Sequence, residues 1–137
     1  MADLIRFGVS IDAELVEKFD SLIKKENYSN RSESIRDLIR EKLVKKEWLS
    51  GKSVAGTITL VYDHHKRELL NMLADIQHDF YHLIISSQHV HLDHDNCLEI
   101  IIVKGRPKEI QDLANKLRAI KGVKHGQLTT ATTGKEL

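Results

Sequence analysis

A short strand near the N-terminus of this chain has no second strand close to it in the sequence. In residues 4–11, Leu-Ile-Arg-Phe-Gly-Val-Ser-Ile, apolar side chains alternate with small or polar ones from Ile5 onward, which predicts a half-buried strand. A lone strand leaves its backbone N–H and C=O groups unpaired, so the simplest partner is the same strand of a second copy. The sequence therefore predicts a homodimer held by a two-stranded antiparallel ribbon.

Two helices are predicted after this strand. Asp12 is placed to cap the first helix, which should end near Asn27. Its apolar stripe consists of Leu15, Val16, Phe19, Leu22 and Ile23. Asn30, followed three residues later by Glu33, gives a capping-box-like start for the second helix. The stripe of that helix consists of Ile35, Leu38, Ile39 and Leu43. The order in the first fifty residues is therefore strand, helix, helix.

Such a ribbon has the right width for the major groove of DNA, which makes its outward side chains candidate base contacts. These candidates are Arg6, Gly8 and Ser10. The start of the second helix offers free N–H groups and a favourable dipole to a phosphate, at Ser29, Asn30 and Arg31. The net charge gives no support for DNA binding, because residues 1–53 hold 11 Lys/Arg against 10 Asp/Glu. Arg6 and Ser10 could equally lie on the solvent-exposed face of an edge strand without contacting DNA.

The histidines lie in the second half of the chain. All eight follow position 63, and they are His64, His65, His78, His82, His89, His91, His94 and His125. This segregation predicts two domains of different chemistry, residues 1–50 and residues 54–137. Lys45 to Ser53 would run from the end of a helix to polar residues and Gly51, which is expected to stop the helix and form a short connector.

The periodicity of the second half predicts the element order β-α-β-β-α-β. Strands are expected at residues 54–62, 83–92, 98–104 and 123–131, with helices after the first and third of them. The Thr-rich segment after residue 129 should finish the last strand and then fray. This order is the ferredoxin-like, or ACT-like, split βαβ arrangement, which makes the whole chain α+β.

A cluster of metal-ligand types follows, His89-Val-His91-Leu-Asp-His94-Asp-Asn-Cys97. On a strand His89 and His91 point to the same face, and a hairpin centred on His94 places His91 opposite Cys97. Two imidazoles and a thiolate suit nickel, copper or zinc. A fourth ligand could be His78 or His82, one helical turn apart. The plainer interpretation is two exposed strand histidines and an apolar cysteine.

Two sets of motifs now carry a resemblance. Arg6-Phe-Gly-Val-Ser10-Ile and Tyr28-Ser-Asn-Arg-Ser-Glu-Ser-Ile-Arg-Asp-Leu-Ile-Arg40 resemble the ribbon-helix-helix family. Gln77-His78, His89-Val-His91 and His94-Asp-Asn-Cys97-Leu-Glu are similar to the metal-site segments of its nickel-responsive regulators, NikR. The resemblance implies one Ni(II) per subunit in a square-planar site. Its ligands would be His89, His91 and Cys97 of one subunit with His78 of another.

The resemblance also implies an assembly and a role. The nickel site would lie at the interface of a homotetramer, a dimer of dimers, and the metal would promote binding to palindromic operator half-sites as a repressor of nickel-uptake genes. A second cation site would use Glu33 and Asp37, and Lys66 and Arg67 would contact DNA backbone. Gly8 departs from the family pattern, because relatives usually carry a hydroxyl residue there and glycine has no side chain to read a base.

Two other classes of protein remain open. One is a ribbon-helix-helix antitoxin, a protein-interaction module with a structural zinc or copper site, and the other is a hydrolase that uses Cys97. The sequence contains no nucleophile-elbow motif to support a hydrolase, so no enzyme activity is expected. The sequence has neither a signal peptide nor a membrane-spanning apolar run, so we expect a cytoplasmic protein without a membrane partner.

Overall fold

Periodicity and structure agree over most of residues 3–137, which a computed structural model describes. The elements in chain order are α1 (Ala13–Lys25), α2 (Arg31–Ser50), β1 (Val54–Asp63), α3 (Arg67–Asp79), β2 (Ile84–His91), β3 (Asn96–Gly105), α4 (Pro107–Arg118) and β4 (Val123–Thr130). The chain divides into two compact units, one that ends at Glu41 and one that spans Lys42–Leu137. Domain limits at residues 50 and 54 stay a prediction.

The predicted N-terminal strand is not formed in the single chain, where residues 3–12 have no regular secondary structure. Ile5, Phe7 and Val9 are 86%, 71% and 63% exposed. The physical reason is that a strand needs a second strand to satisfy its backbone groups, and the predicted partner belongs to another copy of the chain. The ribbon between two copies stays a prediction.

The two helix starts of the first unit differ in how they are capped. Asp12 occupies the N-cap position of α1, but its side chain makes no capping hydrogen bond, so that part of the prediction is wrong. At α2 the prediction is confirmed, because the Asn30 side-chain oxygen accepts a bond of 3.0 Å from the backbone N–H of Glu33. Between the helices Asn27 adopts a φ of 65°, which turns the chain.

The second unit is a four-stranded antiparallel sheet in the order β2-β3-β1-β4, as the ferredoxin-like prediction requires. Alternate residues of β1 and β3 point into the core, where they meet the apolar stripes of α3 and α4. The largest fully buried side chains are Val54, Ile58, Leu60, Ile101, Val103, Ile110, Leu113 and Leu117, together with Cys97. β3 begins at Asn96, two residues before its predicted start, so Cys97 lies within the strand.

Within the segment from Lys45 to Ser53, α2 continues to Ser50. Gly51, with a φ of 78°, ends the helix as predicted. The end of α2 has tertiary support, because Trp48 is buried and its indole N–H donates to the carbonyl of Ala131 at 2.8 Å. The C-terminal segment is therefore held at Ala131 and does not fray directly after β4. Within residues 3–137, no helix has the length and apolar character to span a membrane.

Candidate metal centre

The hairpin between β2 and β3 has the register that the sequence predicts. His91 pairs with Cys97 and His89 pairs with Glu99, so both imidazoles leave the sheet on the face that carries the thiol. On the other side of β3, Tyr62 of β1 pairs with Cys97. The geometry therefore places His91, Cys97 and Tyr62 in one row across three strands.

A cleft of about 410 Å³ opens over this row. Its lining includes three of the four predicted ligands, and consists of Tyr62, His64, Leu70, Leu73, Ala74, Gln77, His89, His91, Cys97 and Glu99. Cys97 is only 1% exposed, whereas His89 and His91 are exposed. A buried sulfur with two accessible imidazoles is a donor set that fits nickel, copper or zinc, with the cysteine bound as thiolate.

The ligand atoms of His89, His91 and Cys97 do not all lie within 4.8 Å of one another. Among residues 3–137, the group of three whose ligand atoms lie within 4.8 Å of one another is His65, His94 and Asp95. The His91 ring instead packs edge-on against His64, with 4.3 Å between centroids. Bringing the three ligands to one metal ion would therefore require side-chain rotation.

Neither candidate for the fourth ligand lines the cleft. His78 lies in the last turn of α3, exposed, with its ring centroid 6.4 Å from that of Tyr81. His82 lies in the short 3₁₀ turn after α3, with Nε2 4.0 Å from the Glu109 carboxylate. Donation of His78 to the site of another subunit stays a prediction.

A buried carboxylate that sequence reasoning missed lies beside the predicted ligands. Glu99 accepts a hydrogen bond of 2.6 Å from the Tyr62 hydroxyl and one of 3.0 Å from the Gln77 amide. Burial, followed by the bond to Glu99, raises the pKa of Tyr62, which keeps the phenol protonated as a donor. The sequence could have indicated this buried carboxylate. Glu99 is a charged residue that alternates with Cys97 and Ile101, and so takes an inward position on the strand. The network ties β1 and β3 to the residue that precedes His78.

The turn between β2 and β3 is ordered by its own side chains and by two histidines. Asp93 accepts bonds from the amide and backbone of Asn96 and from the backbone of Asp95, which lowers its pKa. His64 and His65 each place Nε2 2.8 Å from the carbonyl oxygen of His94. A carbonyl oxygen can only accept, so in both contacts the histidine Nε2–H is the donor.

The predicted DNA contacts are exposed, and the two groups differ in their surroundings. Arg6, Gly8 and Ser10 lie on the irregular N-terminal segment. Arg31 makes a two-pronged ion pair with Asp20, with distances of 2.8 Å and 2.7 Å, and this hydrogen bonding lowers the pKa of Asp20. A phosphate at this position would compete with Asp20 for Arg31. The base and phosphate contacts stay predictions.

The two acidic residues of the predicted second cation site have protein partners. The Glu33 carboxylate accepts from the Ser29 hydroxyl at 3.0 Å. Asp37 accepts from the Tyr28 hydroxyl at 2.5 Å, which raises the pKa of Tyr28 to about 12, and Asp37 also lies 3.5 Å from Arg40. A cation at this position would compete with those partners, and the site stays a prediction.

Comparison with known families gives two matches that follow each other along the chain. Residues 5–46 match the ribbon-helix-helix proteins of the copG family. Residues 55–131 match the NikR C-terminal nickel-binding domain. The second match contains all four predicted nickel ligands, and together the two account for nearly the whole sequence.

Relatives of the same length extend this result. A protein of Syntrophus aciditrophicus is 60% identical over 134 residues, with 98% of each chain covered, and one of Solibacter usitatus is 57% identical over 138 residues, with 100% of this chain and 99% of that chain covered. Both are described as proposed nickel-responsive regulators. A solved structure of an uncharacterized Thermotoga maritima protein covers 59% of this chain and all of its own, with a TM-score of 0.54 and 16% identity, which shows the fold alone. The chain therefore belongs to the NikR family of nickel-responsive regulators, with a ribbon-helix-helix segment followed by the family's nickel-binding domain.

Proposed function

We propose that this protein is a transcriptional repressor of nickel-uptake genes that binds its operator when it is loaded with Ni(II). The observation that carries the proposal is the pairing of His91 with Cys97 beside His89, at a cleft in a domain matched by a nickel-binding family. DNA would be bound by the N-terminal half through Arg6 and Ser10. A cytoplasmic location stays a prediction.

The proposed metal site is completed by a second subunit. His89, His91 and Cys97 supply three donors from one chain, and the exposed His78 supplies the fourth to a neighbouring chain, which gives one Ni(II) per subunit. This division is supported by the position of His78 outside the lining of its own cleft. When bound, nickel would supply bonds that join side chains of two subunits. The thiol must lose its proton for this, so binding releases protons.

Exposed apolar surface supports the proposed homotetramer. In the first unit the apolar stripes of α1 and α2 include Leu15, Leu22, Leu38 and Ile39, each at least half exposed. In the second unit the sheet face opposite the helices exposes Val90, Ile100 and Ile102. Exposed apolar side chains grouped on one face are typical of protein interfaces. One surface would form the ribbon dimer and the other the contact between dimers.

Nickel would act on DNA binding through linkage. A metal ion raises operator affinity only to the extent that it binds the DNA-competent arrangement more tightly than the others. The residues of this chain would contribute by holding the donors: Glu99 fixes Gln77, the neighbour of His78, and the Asp93 turn fixes the hairpin that carries His91 and Cys97. DNA binding would depend on salt because phosphate contacts release counterions.

The first test replaces the sulfur ligand. In Cys97→Ala we expect nickel affinity to fall by more than about a hundredfold, since changes to groups around a metal ligand alone already cost 10- to 100-fold. Metal-dependent DNA binding should be lost while the dimer stays folded. Nickel titration followed by absorption of the thiolate band, with gel-shift assays at the same nickel concentrations, measures both.

His82→Ala is the matched control, because it removes an exposed imidazole next to α3 that does not line the cleft. It should titrate like the wild type. Unchanged nickel binding in Cys97→Ala would refute the proposed site. The antitoxin alternative is not favoured, because the second half of the chain has a buried core of its own and matches a metal-binding domain.

A further inference from the structure

The end of α2 is held to the C-terminal segment by a buried indole. Trp48 is 8% exposed, and its N–H donates to the carbonyl of Ala131, the first residue after β4. The backbone N–H of Ala131 in turn donates to the carbonyl of Ala55 on β1 at 2.8 Å. The last turns of α2, the start of β1 and the residue after β4 are therefore joined by directional bonds.

Gly56 of β1 makes room for this indole. A Cβ at this position would lie 3.3 Å from Cζ2 of Trp48 and 2.9 Å from the carbonyl oxygen of Thr129. Both distances are shorter than ordinary van der Waals contact. The strand thus presents bare backbone to the ring, and the ring sits closer to the sheet than any other residue at position 56 would allow.

A second polar contact lies next to the first. Glu47 is 9% exposed, and its carboxylate accepts a hydrogen bond of 2.9 Å from the Thr132 hydroxyl. The Thr132 oxygen also accepts from the backbone N–H of Gly134 at 3.0 Å. A buried carboxylate is expensive to desolvate, and apolar residues of similar volume often stabilise a fold at least as well. What the hydrogen bond from Thr132 does supply is direction, since it sets how the end of α2 lies against the C-terminal segment.

Orientation matters here because of the length of α2. The helix is continuous from Arg31 to Ser50, 20 residues, and so is about 30 Å long. A tilt of about 10° at its C-terminal end would displace its N-terminal end by roughly 5 Å, more than the reach of a hydrogen bond. The N-terminal end carries Ser29, Asn30 and Arg31, the predicted phosphate contacts.

We infer that Glu47, Trp48, Ala131 and Thr132 form a joint that positions α2, and that Glu47, Trp48 and Thr132 are positioning residues for nickel-dependent DNA binding. The inference rests on the proposed function. The joint touches neither metal nor DNA, and it holds the helix at the end remote from the phosphate contacts. Residues Ala131–Gly134 therefore contribute to nickel-dependent DNA binding by holding the end of α2.

The test uses full-length protein and two substitutions that remove one donor each, Trp48→Phe and Thr132→Val. Thr132→Ser keeps the hydroxyl and serves as the rescue variant. Lys52→Ala is the control, because it removes an exposed ion pair with Glu136 in the same region, 3.6 Å long. The DNA probe is a labelled duplex recovered from a random-sequence pool by nickel-loaded wild-type protein. Nickel affinity is measured by absorption, and DNA affinity with and without nickel by fluorescence anisotropy.

We expect unchanged nickel affinity in all four variants. In Trp48→Phe and Thr132→Val the nickel-induced gain in DNA affinity should fall roughly three- to tenfold, as the loss of one hydrogen bond implies. Thr132→Ser and Lys52→Ala should keep the gain. A full gain in the two donor-loss variants, or a parallel loss of nickel affinity, would overturn the joint alone. No gain in the wild type would overturn the proposed function and the joint together.

Discussion

Glu99 shows how a single residue can constrain the predicted metal centre without being one of its predicted ligands. It is a buried carboxylate among apolar neighbours on β3, with Tyr62 and Gln77 as donors. Removing a donor from a buried acceptor costs more than the same bond contributes on average, because the acceptor cannot return to water. The fixed Glu99 in turn holds Gln77, the residue before the predicted ligand His78.

We therefore expect Tyr62→Phe to lower the free energy of unfolding of the metal-free protein by about 1–3 kcal/mol, the usual cost of leaving a buried polar group without its partner. Urea unfolding followed by circular dichroism measures it. Tyr81→Phe is the control, because the Tyr81 side chain is 72% exposed and its hydroxyl can be replaced by water contacts. Equal stability of both variants would contradict the role given to the network.

At the scale of the element, the two helix starts of the first unit give a matched pair. Asn30 makes the capping bond of α2, whereas Asp12 occupies the same position at α1 without such a bond. The sequence predicts both as caps, but only Asn30 has a glutamate, Glu33, three residues later.

Asn30→Ala should cost about 1 kcal/mol of unfolding free energy, the usual value of a lost N-cap bond. Asp12→Ala should change it by much less, since no side-chain bond is lost. Thermal unfolding of the two variants in parallel gives the comparison. If Asp12→Ala were the more destabilising change, our description of the caps would be wrong.

The elements also show what the sequence could not predict. Periodicity located both helices of the first unit and all six elements of the second, because each has an apolar stripe or alternation of its own. It did not reveal what supports the end of the second helix, which is the distant contact of Trp48 with Ala131. The same contact explains why the tail is held. A local pattern does not contain a partner 83 residues away.

At the scale of the whole molecule, the sequence predicted the register that pairs His91 with Cys97 but not how the donor atoms lie. Register follows from the alternation of two strands and the position of the turn between them. Convergence of the donors depends on side-chain rotation and on the packing of His91 against His64. In our proposal it also depends on His78 of another copy, and a local sequence pattern contains none of these.

The sharing of the site between subunits can be measured directly by complementation. His78→Ala and Cys97→Ala should each bind nickel poorly alone, because each lacks one donor in every site. After equal amounts are unfolded, mixed and refolded, random pairing at a two-fold interface brings intact His78 to intact His89, His91 and Cys97 in about a quarter of the sites. The account predicts about a quarter of the wild-type nickel capacity at high affinity. No recovered capacity in demonstrably mixed tetramers would contradict it, because a site built within one chain could not be restored by mixing.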